Sequence, residues 1–335
     1  MRKWLLAAAA AAVIAAPVVV PVAASAEPMI IKFSHVVAPN TPKGQAALKF
    51  KELAEKYLPG KVTVEVYPNS QLFGDAKEME ALALGDVQFI ATSLSKFGKY
   101  THKTEVFDLP FMFKDMEAVD RFEQGKVGQS LLHAMENRNY LGLAYWHNGL
   151  SQMSANKPLI KPEDAKGLKF RIQQSDIIAA SYAAVDANVQ KLAFSEVYQA
   201  LQVGTVNAQE NTWSNIYSKK FYEVQSDFTE SNGRVIDYMV LVNNKWWTGL
   251  PKDIQAGLSK AMKEATAVNN QIAEKLNADA KQKIMASGKV KIHELTPAQH
   301  AAWVKAMHPV WTKFTDKIGK DIVDAAVASN NPKTN

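Results

Sequence analysis

Cysteine does not occur among the 335 residues of the chain. Disulfide frameworks, thiolate metal sites and a cysteine nucleophile are therefore excluded, as is the N-terminal cysteine that carries the lipid anchor of many exported bacterial proteins. The 7 histidines are scattered, with no HExxH and no ligand spacing, and GxSxG, P-loop and GxGxxG patterns are missing. No cofactor, no metal and no enzymatic activity are expected. Lys and Arg alternate with Asp and Glu instead of forming a basic block, so the formal net charge of +6 leaves no nucleic-acid footprint. Internal repeats and low-complexity linkers are missing as well. With 47% hydrophobic residues, a chain of this length can bury two modest cores. Any exchange of the chain between two domains then takes place within secondary structure.

One long apolar run is present, at the N-terminus. Arg2 and Lys3 precede it, it extends from Trp4 to Ala24, and it ends in Ala24-Ser25-Ala26, a small-x-small cleavage pattern. The run is about long enough to anchor a protein in a bilayer. Pro17, Pro21 and the cleavage pattern favour removal instead. Residues 1–26 are expected to be a signal peptide cleaved after Ala26, which leaves the chain free in an exported aqueous compartment, most simply a periplasm. Losing Arg2 and Lys3 takes the net charge from +6 to +4, a mild excess that helps to collect small anions.

Along the mature chain, hydrophobic periodicity alternates between 2 and 3.6. IIKFSHVV (30–37) reads as a strand, 45–57 as a helix, VTVEVYP (62–68) as a strand, 75–84 as a helix, and 87–91 as a buried strand with the polar exit 92–96. This is an α/β signature. A helix over 118–137 then leads to the strand YLGLAYWHNG (140–149), and LSQMSANKPL (150–159) is the expected first crossover. The β-branched strand 235–242 is the expected return crossover. From Pro251 to about Ala286 one helical pattern continues without Gly or Pro after Gly257. About 35 residues is about 50 Å, long enough to span two small domains.

The stretch from Gly167 to Asn211 carries the chemistry. GLKFRIQ (167–173) reads as a strand with Leu168, Phe170 and Ile172 on one face, so Arg171 points to the other. AFSEVYQALQVGTVNAQEN follows as a short helix that stops at Gly204 and a strand that ends near Asn211. A guanidinium and a carboxamide thus reach strand ends, where open α/β sheets bind ligands, and together they suit a carboxylate. A structural ion pair and a turn asparagine are the competing readings of Arg171 and Asn211.

IKFSHVVAPNTPKG, VEVYPNSQLFGDAKEMEAL, FDLPFMF, YWHNG, ANKPL, GLKFRI, FSEVYQALQ, ENTWSNI and WVKAMHPVWTKF are weak motifs singly but specific together and in order. Through them the mature chain resembles the periplasmic dicarboxylate-binding subunits of TRAP transporters, the DctP type. The resemblance implies a two-lobed α/β periplasmic-binding-protein fold, type II-like, with hinge crossovers and a ligand enclosed between the lobes. It further implies that Arg171 grips a ligand carboxylate, that Asn211 assists, and that a monomer delivers a C4-dicarboxylate (succinate, fumarate or malate) to a sodium-driven pair of membrane subunits, one small and one large. The expected division is 27–148 plus 237–276 for lobe I and 149–236 plus 277–330 for lobe II. One departure is Thr212, where the family usually has proline.

A second carboxylate needs donors from the other lobe. Lys43 is the first candidate, beside Gly44 at a helix start whose amides also attract anions; a solvated lysine is the alternative. Ser93 is a hydroxyl donor at the exit of the third strand, and Ser95 and Lys96 share that exit. Asn148 lies near the crossover and Tyr238 within the returning strand; a turn former and a structural tyrosine are equally open. Phe194 and Trp213 are expected to form apolar walls, with plain core packing as the alternative. Sialic-acid binders of the same superfamily usually carry a basic residue where this chain has Ser151, so a small diacid is expected over a large sugar acid.

Overall fold

The computed structural model describes residues 27–331, so the expected signal peptide, residues 1–26, lies outside the described residues. Two sheets organise the chain. The first has strands β1 (Met29–Ser34), β2 (Val62–Tyr67), β3 (Phe89–Ser93), β4 (Tyr140–Leu150) and β10 (Val235–Asn243), in the order β2-β1-β3-β10-β4. The second contains β5 (Gln152–Ala155), β6 (Lys169–Ile172), β7 (Asn188–Lys191), β8 (Ala208–Asn211), β9 (Asp227–Glu230) and β11 (Lys291–Glu294), ordered β11-β9-β5-β8-β6-β7.

Only Ser151 separates β4 from β5, so the first passage between sheets is nearly one continuous strand. The chain returns between β9 and β10, and the backbone there is tied to the outgoing strand: Ser151 N–H donates to Arg234 C=O at 2.7 Å. All nine residues of β10 are buried, as a β-branched central strand covered on both faces should be. It pairs antiparallel with β3 and β4, with a register shift at Ile236/Asp237.

The helix expected over 45–57 starts earlier, at Pro42, and runs to Tyr57, which places Lys43 in its first turn. Thr41 accepts from Gly44 N–H at 3.2 Å, Pro42 fills the first turn, and Ala46, Ala47, Phe50, Leu53 and Ala54 form one buried stripe. Gly44 is needed for contact: a Cβ there would lie 2.3 Å from Ala38 C=O. The single helix expected over 118–137 is instead two, Met116–Gln124 and Lys126–Leu131. Gly125 takes an extended conformation between them, and its N–H caps Arg121 and Phe122.

The long helix Lys252–Ala286 spans both lobes. Ile254, Leu258, Ala261, Met262 and Ala265 pack with Phe33, Phe50 and Trp146 of the first lobe, whereas Ala280 and Ile284 pack with Ile216 and Phe228 of the second. Its middle is polar and clamps β4: Asn269 donates to His147 C=O at 2.9 Å, and Asn277 to Asn148 C=O at 2.5 Å. The expected grouping of 277–330 with the second lobe needs correction at its end. Helices Pro309–Ile318 and Lys320–Ser329 bury Val310, Phe314, Ile322 and Ala326 in one cluster with Phe107, Phe113 and Phe122 of the first lobe. After β4–β5, β9–β10 and the long helix, this is the fourth passage between the lobes, and it covers an apolar face of the first lobe.

Candidate ligand-binding cleft

Between the lobes lies a narrow cavity with about 320 Å³ of empty space, lined in part by Lys43, Asp75, Ser93, Lys96, Arg171, Phe194, Asn211, Asn215 and Tyr238. The space is a slot and not a chamber. Six of the eight residues singled out from the sequence line it: Lys43, Ser93, Arg171, Phe194, Asn211 and Tyr238.

Arg171 is 2% exposed. Its Nε and Nη2 donate to Leu192 C=O at 3.1 and 2.8 Å, which fixes the plane of the guanidinium, and no acceptor among the described residues meets Nη1. Burial lowers its pKa while Asp75 opposes the shift. The guanidinium carbon is 5.9 Å from the Phe194 ring, an apolar neighbour that limits competing hydration. Asn211 ends β8. Its Oδ1 accepts from Thr212 N–H at 3.1 Å and Asn215 Nδ2 at 2.9 Å, which leaves its own amide hydrogens for another acceptor.

On the opposite wall, Lys43 is wholly buried, with Nζ donating to Ala91 C=O at 2.7 Å and lying 3.5 Å from the Tyr238 ring centroid. Burial lowers its pKa to about 7, against the attraction of Glu78. The same burial raises Glu78 to about 7, with Lys43 and Lys96 opposing. Ser93 is the register partner of Tyr238 across β3 and β10, and its buried Oγ has no partner among the described residues. Of the undecided pair, Lys96 lines the cavity, whereas Ser95 donates to Asp108 at 2.5 Å and faces away from it.

Two expectations need correction. Trp213 does not line this cavity: it packs against Phe228, with ring centroids 5.9 Å apart, and faces a separate surface cavity beside Asn277. Asn148 stands one layer behind the wall, donating to the Tyr238 hydroxyl at 3.0 Å and to Thr212 at 2.9 Å. The hydroxyl of Thr212 thereby accepts a bond that proline cannot take, and φ −74° leaves the backbone as a proline would have it. Ser151 donates to Glu210 at 2.7 Å at the crossover, outside the cavity.

Asp75 was not singled out from the sequence, yet it joins the walls. It pairs with Lys96 of its own lobe and accepts the Phe194 N–H of the other lobe at 2.8 Å. Burial opposes its ionisation, but the Lys96 ammonium outweighs that and holds the carboxyl below its usual range. Asn215 was also missed; it donates to both Asn211 and the Tyr238 hydroxyl. Its spacing of four residues from Asn211 was the available signal.

Residues 33–317 match the profile of bacterial extracellular solute-binding protein family 7, the DctP family. The chain belongs to this family. It is 57% identical over 306 residues to the C4-dicarboxylate-binding periplasmic protein DctP of Shewanella loihica, covering 91% of each chain. A TRAP periplasmic solute-binding protein from Shewanella oneidensis, solved with bound succinate, matches at TM-score 0.90 and 55% identity, over 91% of this chain and 100% of that one. Another from Pseudomonas aeruginosa, with bound L-malate, matches at TM-score 0.84 and 47% identity, over 85% and 100%. Family membership and the two-lobed DctP architecture are thus as the sequence motifs implied.

Proposed function

We propose that this DctP-family chain captures C4-dicarboxylates in the periplasm by closure of its lobes and delivers them to the small and large membrane subunits of a sodium-driven TRAP transporter. One observation carries the reading: buried cations enter a single narrow slot from both sides, Arg171 from the second lobe and Lys43 and Lys96 from the first. Cations on opposite walls of a slot of this size suit two carboxylates on a short carbon chain. Arg171 and the Asn211 amide take one carboxylate; Lys43 and the Ser93 hydroxyl take the other, with Tyr238 and Phe194 as walls. The DctP relatives bound to succinate and L-malate support the ligand class.

Because the ligand meets both lobes only when they are shut, it shifts the population to the closed form, which a membrane partner can distinguish. Several charge-assisted bonds of about 1.5–3 kcal/mol each give micromolar or tighter binding after the entropy of association is subtracted. No reaction is assigned to the slot: the ligand leaves unchanged. The signal peptide read from residues 1–26 supplies the export that the role requires.

A thermal-shift panel on the mature chain tests the proposal. Succinate, fumarate and malate are expected to raise the Tm and monocarboxylates to leave it near that of the free protein. A panel in which sugars or amino acids alone shift the melt, or a turnover assay that finds the diacid altered, overturns it.

A further inference from the structure

A second cluster of polar groups lies on the other face of the hinge strands. Tyr238 points into the slot, and the next residue back along β10, Asp237, points away from it by the period of the strand. Asp237 stands opposite His147 in the β10–β4 register, at the register shift, and Glu123 reaches them from the helix Met116–Gln124. One ligand-type atom from each of the three lies within 4.8 Å of the other two. The pairwise separations bracket what a small cation requires: His147 Nε2 is 2.9 Å from Glu123 Oε2 and 3.8 Å from Asp237 Oδ2.

All three residues are at least nine-tenths buried. Glu123 Oε1 and Asp237 Oδ2 have no hydrogen-bond partner among the described residues, a costly condition for oxygens out of contact with water. The remaining Asp237 oxygen accepts Asn148 N–H at 2.9 Å, which orients the carboxylate. Two carboxylates share one imidazole, so the group has acceptors in excess of donors. Access exists on both sides: Glu123 borders one surface cavity and His147 another.

We propose that Glu123, His147 and Asp237 form a divalent-cation site, suited by its one imidazole and two carboxylates to zinc(II), at the hinge and separate from the dicarboxylate slot. Zinc bonds of about 2.0–2.2 Å to nitrogen and oxygen place tetrahedral ligands a little over 3 Å apart, between the 2.9 and 3.8 Å separations seen here and within reach of small side-chain rotations. A water from either cavity completes the fourth position. The cation supplies a partner for the orphaned Asp237 Oδ2 and ties the helix Met116–Gln124 to the two strands that connect the lobes.

The mature, full-length chain, stripped with EDTA and dialysed, is titrated with zinc chloride by calorimetry and followed by thermal melting. One zinc per chain and a rise in Tm are expected. Asp237→Asn and His147→Gln should each weaken zinc binding by more than about a hundredfold. His133→Ala, at the exposed His133–Glu136 pair, should leave it unchanged and so separates the hinge site from surface binding. Absence of binding by the wild type, or retention of stoichiometric zinc by the Asp237→Asn/His147→Gln double variant, overturns the proposal. Should those variants fail to fold, wild-type protein loaded with cobalt(II) decides: a four-coordinate buried site absorbs intensely in the visible, and a weak, aquo-like spectrum overturns the assignment.

Discussion

Replacing Arg171 with alanine isolates the proposed carboxylate contact. In the folded chain two of the guanidinium nitrogens are committed to Leu192 C=O at 3.1 and 2.8 Å, so the side chain is held before any ligand arrives. The hydrogens that remain, on Nη1 and Nη2, give one or two charge-assisted bonds, each worth about 1.5–3 kcal/mol. Truncation also leaves a ligand carboxylate in a desolvated slot without its cation, and breaking a buried pair in that way costs about 3–5 kcal/mol. At about 1.4 kcal/mol per decade, affinity for succinate or malate should fall by roughly a hundredfold to several thousandfold.

Calorimetry on the mature chain measures this directly, and the ligand-free melt supplies the control. Arginine removal orphans Leu192 C=O but also relieves the burial of a cation, so the ligand-free Tm is expected to move little compared with affinity. Arg171→Lys should recover only part of the loss, since one ammonium cannot both hold Leu192 and present a planar fork to the ligand. Succinate and malate binding within about threefold of wild type by Arg171→Ala would refute the role assigned to the guanidinium.

Lys43→Met should weaken dicarboxylate binding by about tenfold to a hundredfold while holding or raising the ligand-free Tm, because a wholly buried ammonium is removed; a large drop in Tm with unchanged affinity, by calorimetry and melting, would make Lys43 structural. His35 titrates at about 3 in the folded chain, through burial and then the nearby Lys43, against 6.5 unfolded. As pH falls from about 6.5 toward 3 the unfolded chain therefore gains a proton that the folded chain refuses. Stability is lost over that window, by about 3 kcal/mol at pH 4, and urea midpoints at pH 7 and pH 4 should show a smaller difference in His35→Asn than in wild type. Trp213→Phe should lower stability by about 1–2 kcal/mol and leave succinate affinity within about threefold, since the indole packs on Phe228 outside the slot; a larger affinity loss restores Trp213 to the cleft wall.

Residues on strands were the most legible from sequence. Arg171, Asn211 and Tyr238 each face the slot because strand period and strand ends are written in local apolar alternation. Helix phase was less legible. Trp213 and Asn215 both follow Asn211, but the helix Trp213–Ser218 turns by about 100° per residue, so Asn215 reaches the slot and Trp213 the opposite side. The contact between Asp75 and the Phe194 N–H spans 119 residues, and no local pattern in QLFGDAK announces it. The same holds for the last two helices, whose apolar faces are equally suited to either lobe as sequence and are placed by the uncovered Phe107, Phe113 and Phe122. The strand Asn188–Lys191 was invisible because all four of its residues are exposed at a sheet edge.

Charge explains why both ends of the ligand matter. Lys43, Lys96 and Arg171 face a cavity that Asp75 also lines, and Glu78 is buried close enough behind the wall to act on Lys43. Asp75 is held ionised by Lys96, whereas burial brings both Lys43 and Glu78 to about 7, so near neutral pH these five groups carry a net charge of about +1, which rises to +2 when Lys43 is protonated and Glu78 neutral, the state a dianion favours. Like charges at contact distance repel by about 4 kcal/mol at the effective dielectric of partly buried sites. Shutting the lobes on an empty slot brings Arg171 toward Lys43 and Lys96 with only the Asp75 bridge to offset the repulsion. A dianion cancels the excess from within and turns repulsion across the lobes into attraction through the ligand. A monoanion leaves one wall uncompensated, so the discrimination between diacid and monoacid resides in the closing step as much as in any one contact.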